Sequence, residues 1–306
     1  MSAAVIVREV GPRDGLQLVN DFLPTNSKLE WITQQAGAGF SEIEVTSFVP
    51  PKLMPQFADA ENVIFACSKL PNMVASALAL NLKGVVRALD AGADVVNFVL
   101  SASEEHSHSN ARTSTDEAIS VFKNTKEWQR KNAPNSSITV AIATSFGCSL
   151  QGDVPEYQVA KIAAQLAEFE PAEITLADTV GYANPLQVKR IFKAVAAEVG
   201  NIPLAAHFHD TRGLGLANVV AALDVGVRKF DAALAGLGGC PFAPGASGNI
   251  ATEDTVYMLE TLGMRTGINL EALMKLREDF ALWLPNEPLQ GRLGSAGFAR
   301  TFTYAA

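Results

Sequence analysis

Short apolar runs alternate with longer amphipathic segments along most of the chain. Eight of these runs have the length of buried strands and are bounded by turn residues. We predict strands at residues 5–10, 42–46, 74–79, 95–100, 138–143, 173–177, 204–208 and 230–235. Because helical spacing fills the intervals, the pattern predicts a regular alternation of strand and helix.

The transitions from helix to strand repeat a common pattern. QQAGAGFSEIEVTS, LDAGADVVNFVLS and LDVGVRKFDAALAG each run from helix-like sequence through a glycine turn into an apolar strand. Helix starts are predicted at Ser27 and at Ser114, where Glu117 has the spacing of a capping box. Eight strand–helix units in roughly 250 residues predict an α/β fold, a (β/α)8 TIM barrel, rather than a doubly wound sheet.

Two more amphipathic segments follow the eighth predicted strand. ATEDTVYMLETLG and NLEALMKLREDFALWL predict extra C-terminal helices, and the final NEPLQGRLGSAGFARTFTYAA is glycine-rich and irregular. We interpret residues 1–306 as a single TIM-barrel catalytic domain, with 265–306 as a C-terminal helical extension and tail.

Composition and charge narrow the class of protein. The chain has 306 residues, 48% of them hydrophobic and 18% charged, so it can bury a large core. A net charge of −8 argues against a nucleic-acid partner, which needs a basic surface. No apolar run approaches the length of a membrane span, and the N-terminus leaves no room for a targeting peptide. Since three widely spaced cysteines do not suggest a disulfide framework, we predict a cytoplasmic protein without a membrane partner.

Polar residues stand where the predicted strands end, which is where barrel enzymes place their chemistry. His207 and His209 are two residues apart on a strand, so their imidazoles point to the same interior face. Two crowded neutral imidazoles favour a shared divalent cation. A hard cation such as Mg²⁺ also prefers oxygen ligands, which Asp14 across the mouth and the Asn249 amide can supply. The sequence therefore predicts a metal site with open positions for substrate oxygens.

Charged residues flank this predicted metal site. Arg13 precedes Asp14 in a turn flanked by glycine and proline, and a guanidinium beside a metal is suited to holding an oxyanion. Glu44 and Asp178 also stand at strand ends. Each of these two carboxylates either orients Arg13 or a histidine, or caps a helix.

Two other features have a functional and a simpler interpretation. His106 and His108 repeat the two-residue spacing in the serine-rich SASEEHSHSN, which we interpret as a loop with solvated histidines at the substrate entrance rather than as a metal site. Cys240 lies in LAGLGGCPFAPGASGN, whose glycines disfavour helix and strand. Because a flexible loop lacks the packing usual for a free cysteine, we predict a functional thiol at Cys240 and buried thiols at Cys67 and Cys148.

Five motifs carry a resemblance to a known family. They are EVGPRDGLQ, IEVTSFVPPK, LADTVG, HFHDT and, above all, AGLGGCPFAPGASGNIATED. Over about residues 4–262 the chain resembles 3-hydroxy-3-methylglutaryl-CoA (HMG-CoA) lyases, members of a metal-dependent barrel superfamily that includes isopropylmalate synthases and pyruvate carboxyltransferase domains. The RDGEQ and HxHND motifs of the synthases and the barrel lysine of the carboxyltransferases are absent from the corresponding strands.

The resemblance implies a retro-Claisen cleavage of an acyl-CoA substrate to acetyl-CoA and a 3-keto acid. The residues that it places in the site are the Mg²⁺ or Mn²⁺ ligands Asp14, His207, His209 and Asn249, the catalytic Arg13, Cys240 on a mobile loop, and the supporting Glu44 and Asp178. The base is either His207 or Asp178. We further assign contacts with CoA, as part of the substrate, to Gln17, Ser47 and Asn110. By resemblance we also expect a homodimer or homotetramer.

Departures from the family pattern leave the acyl chain open. Leu18, Val19 and Asn20 replace an NEK sequence, and Arg212 replaces a frequent aromatic residue. A longer or differently branched 3-hydroxy-3-alkylglutaryl-CoA is therefore an alternative substrate. Two further alternatives are an enzyme of the same superfamily that acts on a free hydroxy acid, and a catalytically silent barrel that binds a metabolite or a protein.

Overall fold

A closed barrel of eight parallel strands forms the centre of the molecule. The computed structural model describes residues 4–239 and 248–305. Each strand pairs with the next in sequence, and the last pairs with the first. The strands are β1 Ile6–Glu9, β2 Glu42–Ser47, β3 Val74–Ala79, β4 Val95–Ser101, β5 Ser137–Ala143, β6 Ile174–Asp178, β7 Leu204–Phe208 and β8 Lys229–Ala232.

Helices connect successive strands and continue after the last strand. They are α1 Thr25–Gly37, α2 Ala60–Cys67, α3 Leu82–Asp90, α4 Glu104–Ala111, α5 Thr115–Asn132, α6 Glu156–Ala167, α7 Pro185–Val199, α8 Gly215–Asp224, α9 Thr252–Thr261, α10 Leu270–Trp283 and α11 Leu293–Ala296. This alternation confirms the predicted (β/α)8 barrel with additional C-terminal helices. Among the described helices, none is both long and apolar enough to span a bilayer.

The predicted strands are confirmed, with differences at their ends. β8 ends at Ala232 rather than at residue 235, because Leu234–Gly236 form a 3₁₀ turn in which Ala235 has a left-handed φ of 56°. β7 ends one residue before His209, which instead forms an isolated bridge with Asn249. This bridge draws the chain after β8 towards the end of β7.

One segment that the sequence predicts as a loop is a helix. The serine-rich stretch after β4 forms α4, and the Ser103 hydroxyl accepts the N–H of His106 at 3.2 Å as its cap. Glu104 and Glu105 place negative charge in the first turn, where the helix dipole favours it. The loop interpretation is therefore wrong: the segment has few apolar residues, but its caps and charges suit a helix.

The two helix starts predicted from the sequence have different outcomes. The capping box at the start of α5 is confirmed, since the side chains of Ser114 and Glu117 each accept the backbone N–H of the other. By contrast, α1 begins at Thr25 rather than at Ser27. Pro24 precedes it in an extended conformation and ends the incoming segment there.

Charged side chains form a connected set in the barrel interior. Arg8 Nη1 lies 3.1 Å from Glu42 and 3.0 Å from Glu173, and its Nε lies 2.7 Å from Asp231. Lys229 Nζ lies 2.7 Å from both Glu42 and Glu173. We call these five residues the interior ion-pair network. Each charge has an opposite partner, as buried charges require.

The C-terminal elements pack against the barrel. The rings of Trp31 in α1 and Phe280 in α10 meet edge to face, with centroids 4.8 Å apart. Further along, Gln290 donates its N–H to the carbonyl of Ala235 at 2.7 Å, and Arg277 Nη2 donates to the carbonyl of Gln290 at 2.8 Å. These contacts attach the segment after α10 to the chain that leaves β8. The division of the chain at residue 265 stays a prediction.

Candidate active site

A single turn of π-helix, Gly11–Gly15, carries Arg13 and Asp14 from the end of β1 into the barrel mouth. Their backbone N–H groups both donate to the carbonyl of Val10, at 3.1 and 2.6 Å. Position 11 requires glycine, since a Cβ there would lie 2.4 Å from Glu9 Oε1. Glycine thus lets the chain pass close to Glu9 and Trp31 at the start of the turn that carries both charged side chains.

Three potential metal ligands converge at the carboxyl end of the barrel. Asp14, His207 and His209 are buried, and each offers one ligand atom within 4.8 Å of the others. Asp14 Oδ2 lies 4.0 Å from His207 Nε2 and 3.6 Å from His209 Nε2. Although burial alone would raise the pKa of Asp14, the Arg13 guanidinium and the two histidines hold it well below its usual range. Asp14 is therefore a carboxylate at neutral pH.

Asn249 joins the same cluster through its side-chain amide. Its Nδ2 donates to Asp14 Oδ2 at 2.8 Å and to the carbonyl of Leu237 at 3.0 Å. Its Oδ1 is buried and has no hydrogen-bond partner among the described residues, and the same is true of His209 Nδ1. An unsatisfied buried oxygen beside a carboxylate and two imidazoles fits the donor set of a divalent cation.

The charges around the cluster also favour a divalent cation. Polar contacts of 4.0 Å or less connect the interior network through His207 to Asp14, Arg13 and Glu44. Three cationic side chains face five carboxylates in this connected set, which leaves a net charge of −2 with neutral histidines. The cations are Arg8, Arg13 and Lys229, and the carboxylates are Asp14, Glu42, Glu44, Glu173 and Asp231.

Arg13 is held by carboxylates at two of its nitrogens. Its Nε donates to Glu44 Oε2, and its Nη1 donates to Asp14 Oδ1. Glu44 is in turn fixed by the Asn97 amide, which donates to Oε1 at 3.1 Å. The structure thus brings Glu44 to Arg13, which is one of the arrangements that the sequence allowed, and orients the guanidinium at the cavity wall.

Asp178 makes different contacts. Its two carboxylate oxygens accept the backbone N–H groups of Tyr182 at 2.8 Å and Ala183 at 3.1 Å. Burial raises its pKa, against the effect of these hydrogen bonds and of the neighbouring histidines. Its neighbours Ala177 and Thr179 line the cavity, whereas Asp178 does not. Asp178 therefore holds the turn after β6.

A cavity opens above these side chains. Arg13, Asp14 and both candidate histidine ligands line it, together with Gln17, Ser47 and Asn110, which the sequence assigns to CoA contacts. Its remaining wall is largely apolar, from residues that include Val49, Met54, Leu78, Leu80 and Val99. The charged groups lie around the candidate metal ligands and the rest of the wall is largely apolar. Such a cavity suits a molecule with one charged part and one hydrophobic part.

The histidines of α4 differ from each other. His106 is buried, its Nδ1 lies 3.0 Å from the Ser101 hydroxyl, and burial lowers its pKa to about 4. His106 lines the cavity, in agreement with the expected place at the substrate entrance, but its burial contradicts the expectation of a solvated residue. His108, with a side chain that is 60% exposed, matches that expectation.

Sequence reasoning missed two carboxylates beside the cluster. Asp231 Oδ2 lies 3.2 Å from His207 Nδ1. Glu9 Oε1 accepts the N–H groups of Gly11 and Leu234, both at 2.9 Å, and burial raises its pKa to about 7. The available signal was a pair of opposite charges within a short strand, as in KFDA and IVRE. Cys240, the predicted functional thiol, lies outside the described residues, whereas Cys67 and Cys148 are buried as predicted.

Fold and site together define a class: (β/α)8 barrel proteins with a candidate metal centre at the carboxyl ends of the strands. Comparison with known proteins gives the family. The HMGL-like family model matches residues 4–280, and the chain belongs to this family, which confirms the predicted resemblance.

Individual relatives are similar in sequence to this chain over nearly its whole length. Hydroxymethylglutaryl-CoA lyase YngG of Bacillus subtilis is 41% identical over 290 residues, 94% of this chain and 96% of that protein. Mitochondrial hydroxymethylglutaryl-CoA lyase of Rattus norvegicus is 42% identical over 271 residues, 89% of this chain and 83% of that protein. An HMG-CoA lyase from Acinetobacter baumannii, solved in complex with coenzyme A and 3-methylmalate, superimposes with a TM-score of 0.92 at 42% identity and covers 99% of both chains.

Proposed function

We propose that this protein cleaves 3-hydroxy-3-methylglutaryl-CoA, or a close 3-hydroxy-3-alkylglutaryl-CoA, to acetyl-CoA and a 3-keto acid, which is acetoacetate for the methyl substrate. The observation that carries the proposal is the convergence of Asp14, His207 and His209 on one point beside Arg13 at the wall of the cavity. The names of relatives at 41% and 42% identity support the same reaction.

The proposed cation ligands are Asp14, His207, His209 and Asn249. Their oxygen and imidazole donors suit Mg²⁺ or Mn²⁺. When bound, such a cation acts as a Lewis acid that lowers the pKa of the substrate hydroxyl. The chain contributes the geometry: the π-helical turn delivers Asp14, the end of β7 delivers both histidines, and the bridge from His209 brings Asn249.

Arg13 stabilises the negative charge that develops during cleavage. The hydroxyl proton leaves to a base, the bond between C2 and C3 breaks, and C3 becomes the ketone carbon of the departing keto acid. The electron pair of the broken bond moves into the thioester, which becomes an enolate whose oxygen is the partner for the Arg13 guanidinium. Protonation of this enolate at C2 gives acetyl-CoA. Glu44 fixes the guanidinium in advance, so that little reorganisation is needed.

The contacts of the two candidate bases favour Asp178 over His207 as the proton acceptor. His207 has Nδ1 at Asp231 and Nε2 directed at the metal cluster, which leaves no nitrogen for the hydroxyl proton. We therefore assign the acceptor role to Asp178, whose pKa is raised by burial. Because Ala177 and Thr179 rather than Asp178 line the cavity, the transfer needs one bridging water. We assign protonation of the enolate to the Cys240 thiol; the cycle closes when Asp178 releases its proton to water and the thiolate takes one up.

The cavity wall supplies the proposed contacts with CoA. Gln17, Ser47 and Asn110 offer polar groups along one cavity, and the apolar residues beside them suit the acyl and pantetheine parts of the substrate.

A cytoplasmic location and self-association as a dimer or tetramer belong to the proposal as well. Sedimentation velocity and fractionation of the native host test them.

An assay with a panel of thioesters tests the proposed function. The protein, Mg²⁺ and a thiol reductant are incubated with 3-hydroxy-3-methylglutaryl-CoA, its longer 3-alkyl homologues and the matching free acids, and acetyl-CoA and keto acid are quantified. We expect equal amounts of acetyl-CoA and keto acid from at least one thioester and none after chelation. Cleavage of the free acids alone would instead identify a hydroxy-acid enzyme. No cleavage of any compound would reject the lyase proposal.

A further inference from the structure

We propose that Asp231, held by Arg8, is a positioning residue that fixes the ring tautomer of His207 and thereby its ability to bind the cation. This inference rests on the proposed metal-binding role of His207. It concerns a carboxylate that neither the motifs nor the proposed reaction assigns to the site.

The strand register places these residues side by side. His207 on β7 pairs with Asp231 on β8, and Asp231 pairs with Arg8 on β1. Asp231 uses a different oxygen for each neighbour: Oδ1 accepts Arg8 Nε at 2.7 Å, and Oδ2 lies 3.2 Å from His207 Nδ1. All three side chains are buried. Arg8 thus holds one oxygen of the carboxylate and leaves the other facing the imidazole.

An ionised carboxylate can only accept hydrogen bonds. The contact between Asp231 Oδ2 and His207 Nδ1 therefore requires a proton on Nδ1. In a neutral imidazole this leaves the lone pair on Nε2, which is the nitrogen that faces Asp14 across 4.0 Å. The tautomer that Asp231 selects is the one in which His207 can be a ligand at the cluster.

The charges of the interior ion-pair network argue against a purely structural role for Asp231. Without Asp231, this network contains Arg8 and Lys229 against Glu42 and Glu173, and it is already neutral. Asp231, although it is paired with Arg8, therefore brings the net charge of this network to −1. Since a buried unbalanced charge is costly, its position next to His207 indicates a function at the cluster.

His209 provides a contrast within the same cluster. Among the described residues no group accepts a hydrogen bond from its Nδ1, although that nitrogen is buried. The backbone instead restrains His209 through its bridge with Asn249. Of the two histidines, His207 is the one whose tautomer is set by a carboxylate.

Asp231→Asn tests the proposal with little change in shape. The Asn side chain can keep an oxygen for Arg8 Nε, and it then presents an N–H₂ group to His207, which favours the tautomer with the proton on Nε2. Glu42→Gln is the matched control, because it removes one negative charge from the same network without contacting His207. Asp231→Glu is the conservative variant that keeps the carboxylate.

Two measurements that need no turnover decide the outcome. Long-range ¹⁵N NMR of the metal-free protein at alkaline pH reports the tautomer of each ring, and the chain has only four histidines. Binding of Mn²⁺ is followed by electron paramagnetic resonance. We expect Nδ1–H for His207 in the wild type and in Glu42→Gln, and Nε2–H in Asp231→Asn. Affinity for Mn²⁺ should fall about 10–100-fold in Asp231→Asn, with a smaller loss in Glu42→Gln and partial recovery in Asp231→Glu.

Several results would overturn the inference. One is an unchanged tautomer and Mn²⁺ affinity in folded Asp231→Asn, and another is an equal loss of affinity in Glu42→Gln, which would leave only a general charge effect. If Asp231→Asn does not fold, the wild-type spectrum decides, since Nε2–H on His207 contradicts the proposal. If the wild-type protein cleaves none of the substrates, the proposed reaction is rejected, but the tautomer and Mn²⁺ measurements still test the role of Asp231.

Discussion

The Glu44 carboxylate accepts the Nε–H of Arg13, so that the guanidinium is oriented before any substrate enters. Glu44 lies on β2 and Arg13 on the turn after β1, so the contact joins neighbouring strands at the mouth of the barrel.

Replacement of Arg13 should abolish turnover but preserve the metal site. In Arg13→Ala we expect kcat to fall at least about a thousandfold, because the enolate loses its positioned cation. Mn²⁺ binding should persist, since Arg13 is not among the proposed ligands. The exposed Arg190→Gln, which removes only the pair with Glu156, is the control and should keep full activity. A loss in Arg13→Ala below tenfold would remove Arg13 from the catalytic role.

Replacing one histidine at a time should distinguish a histidine that binds the metal from one that does not. His209→Ala should lower the metal content of purified protein and weaken Mn²⁺ binding, because His209 is one of three potential ligand side chains that converge. His108→Ala is the matched control, since His108 is largely exposed on α4 and should bind metal as the wild type does. Metal content measured by plasma mass spectrometry checks both variants. Equal occupancy in both would contradict the ligand assignment.

Asn110 should affect substrate binding more than chemistry. Its side chain lines the cavity, and loss of one hydrogen bond of about 1 kcal/mol raises KM roughly fivefold in Asn110→Ala. We expect kcat to stay unchanged, because Asn110 is not part of the metal cluster. Ser109→Ala, an exposed neighbour on the same helix, should leave both constants unchanged. A fall in kcat without a change in KM would contradict a binding role.

Glu9 should make folding stability depend on pH. Burial raises its pKa from 4.5 to about 7, so that between these values the unfolded chain has lost the proton that the folded protein keeps. The unfolded state then binds fewer protons, and the contribution of Glu9 to stability falls as pH rises through this range, by on the order of 3 kcal/mol.

Urea unfolding across this pH range measures the effect. The free energy of unfolding of the wild type minus that of Glu9→Gln should decline as pH rises from 4.5 to 7 and level off above it. The difference between the two proteins removes contributions from other titrating groups. A difference that does not vary with pH would show that Glu9 is ionised throughout.

The sequence predicted the fold well because strand and helix periodicities are local. Every predicted strand lies within a few residues of an observed one, and the capping box at Ser114 is formed. α4 was missed because its residues are mostly polar, so that the apolar spacing of a surface helix is weak. Its cap at Ser103 was the remaining signal.

The candidate site was predicted in part. Motif positions at strand ends identified Arg13, Asp14, His207 and His209, which the fold brings together. Asp231 escaped prediction, because periodicity tells which face of a strand a residue occupies but not which distant side chain it meets. Strand register supplies that pairing, and it is set by the closed barrel.

The attachment of Gln290 to Ala235 has a practical consequence for anyone who expresses this protein. Ala235 lies in the 3₁₀ turn that follows β8, and Arg277 Nη2 in turn donates to the carbonyl of Gln290. Truncating the chain before Gln290 would therefore remove this contact and disturb the turn that follows β8.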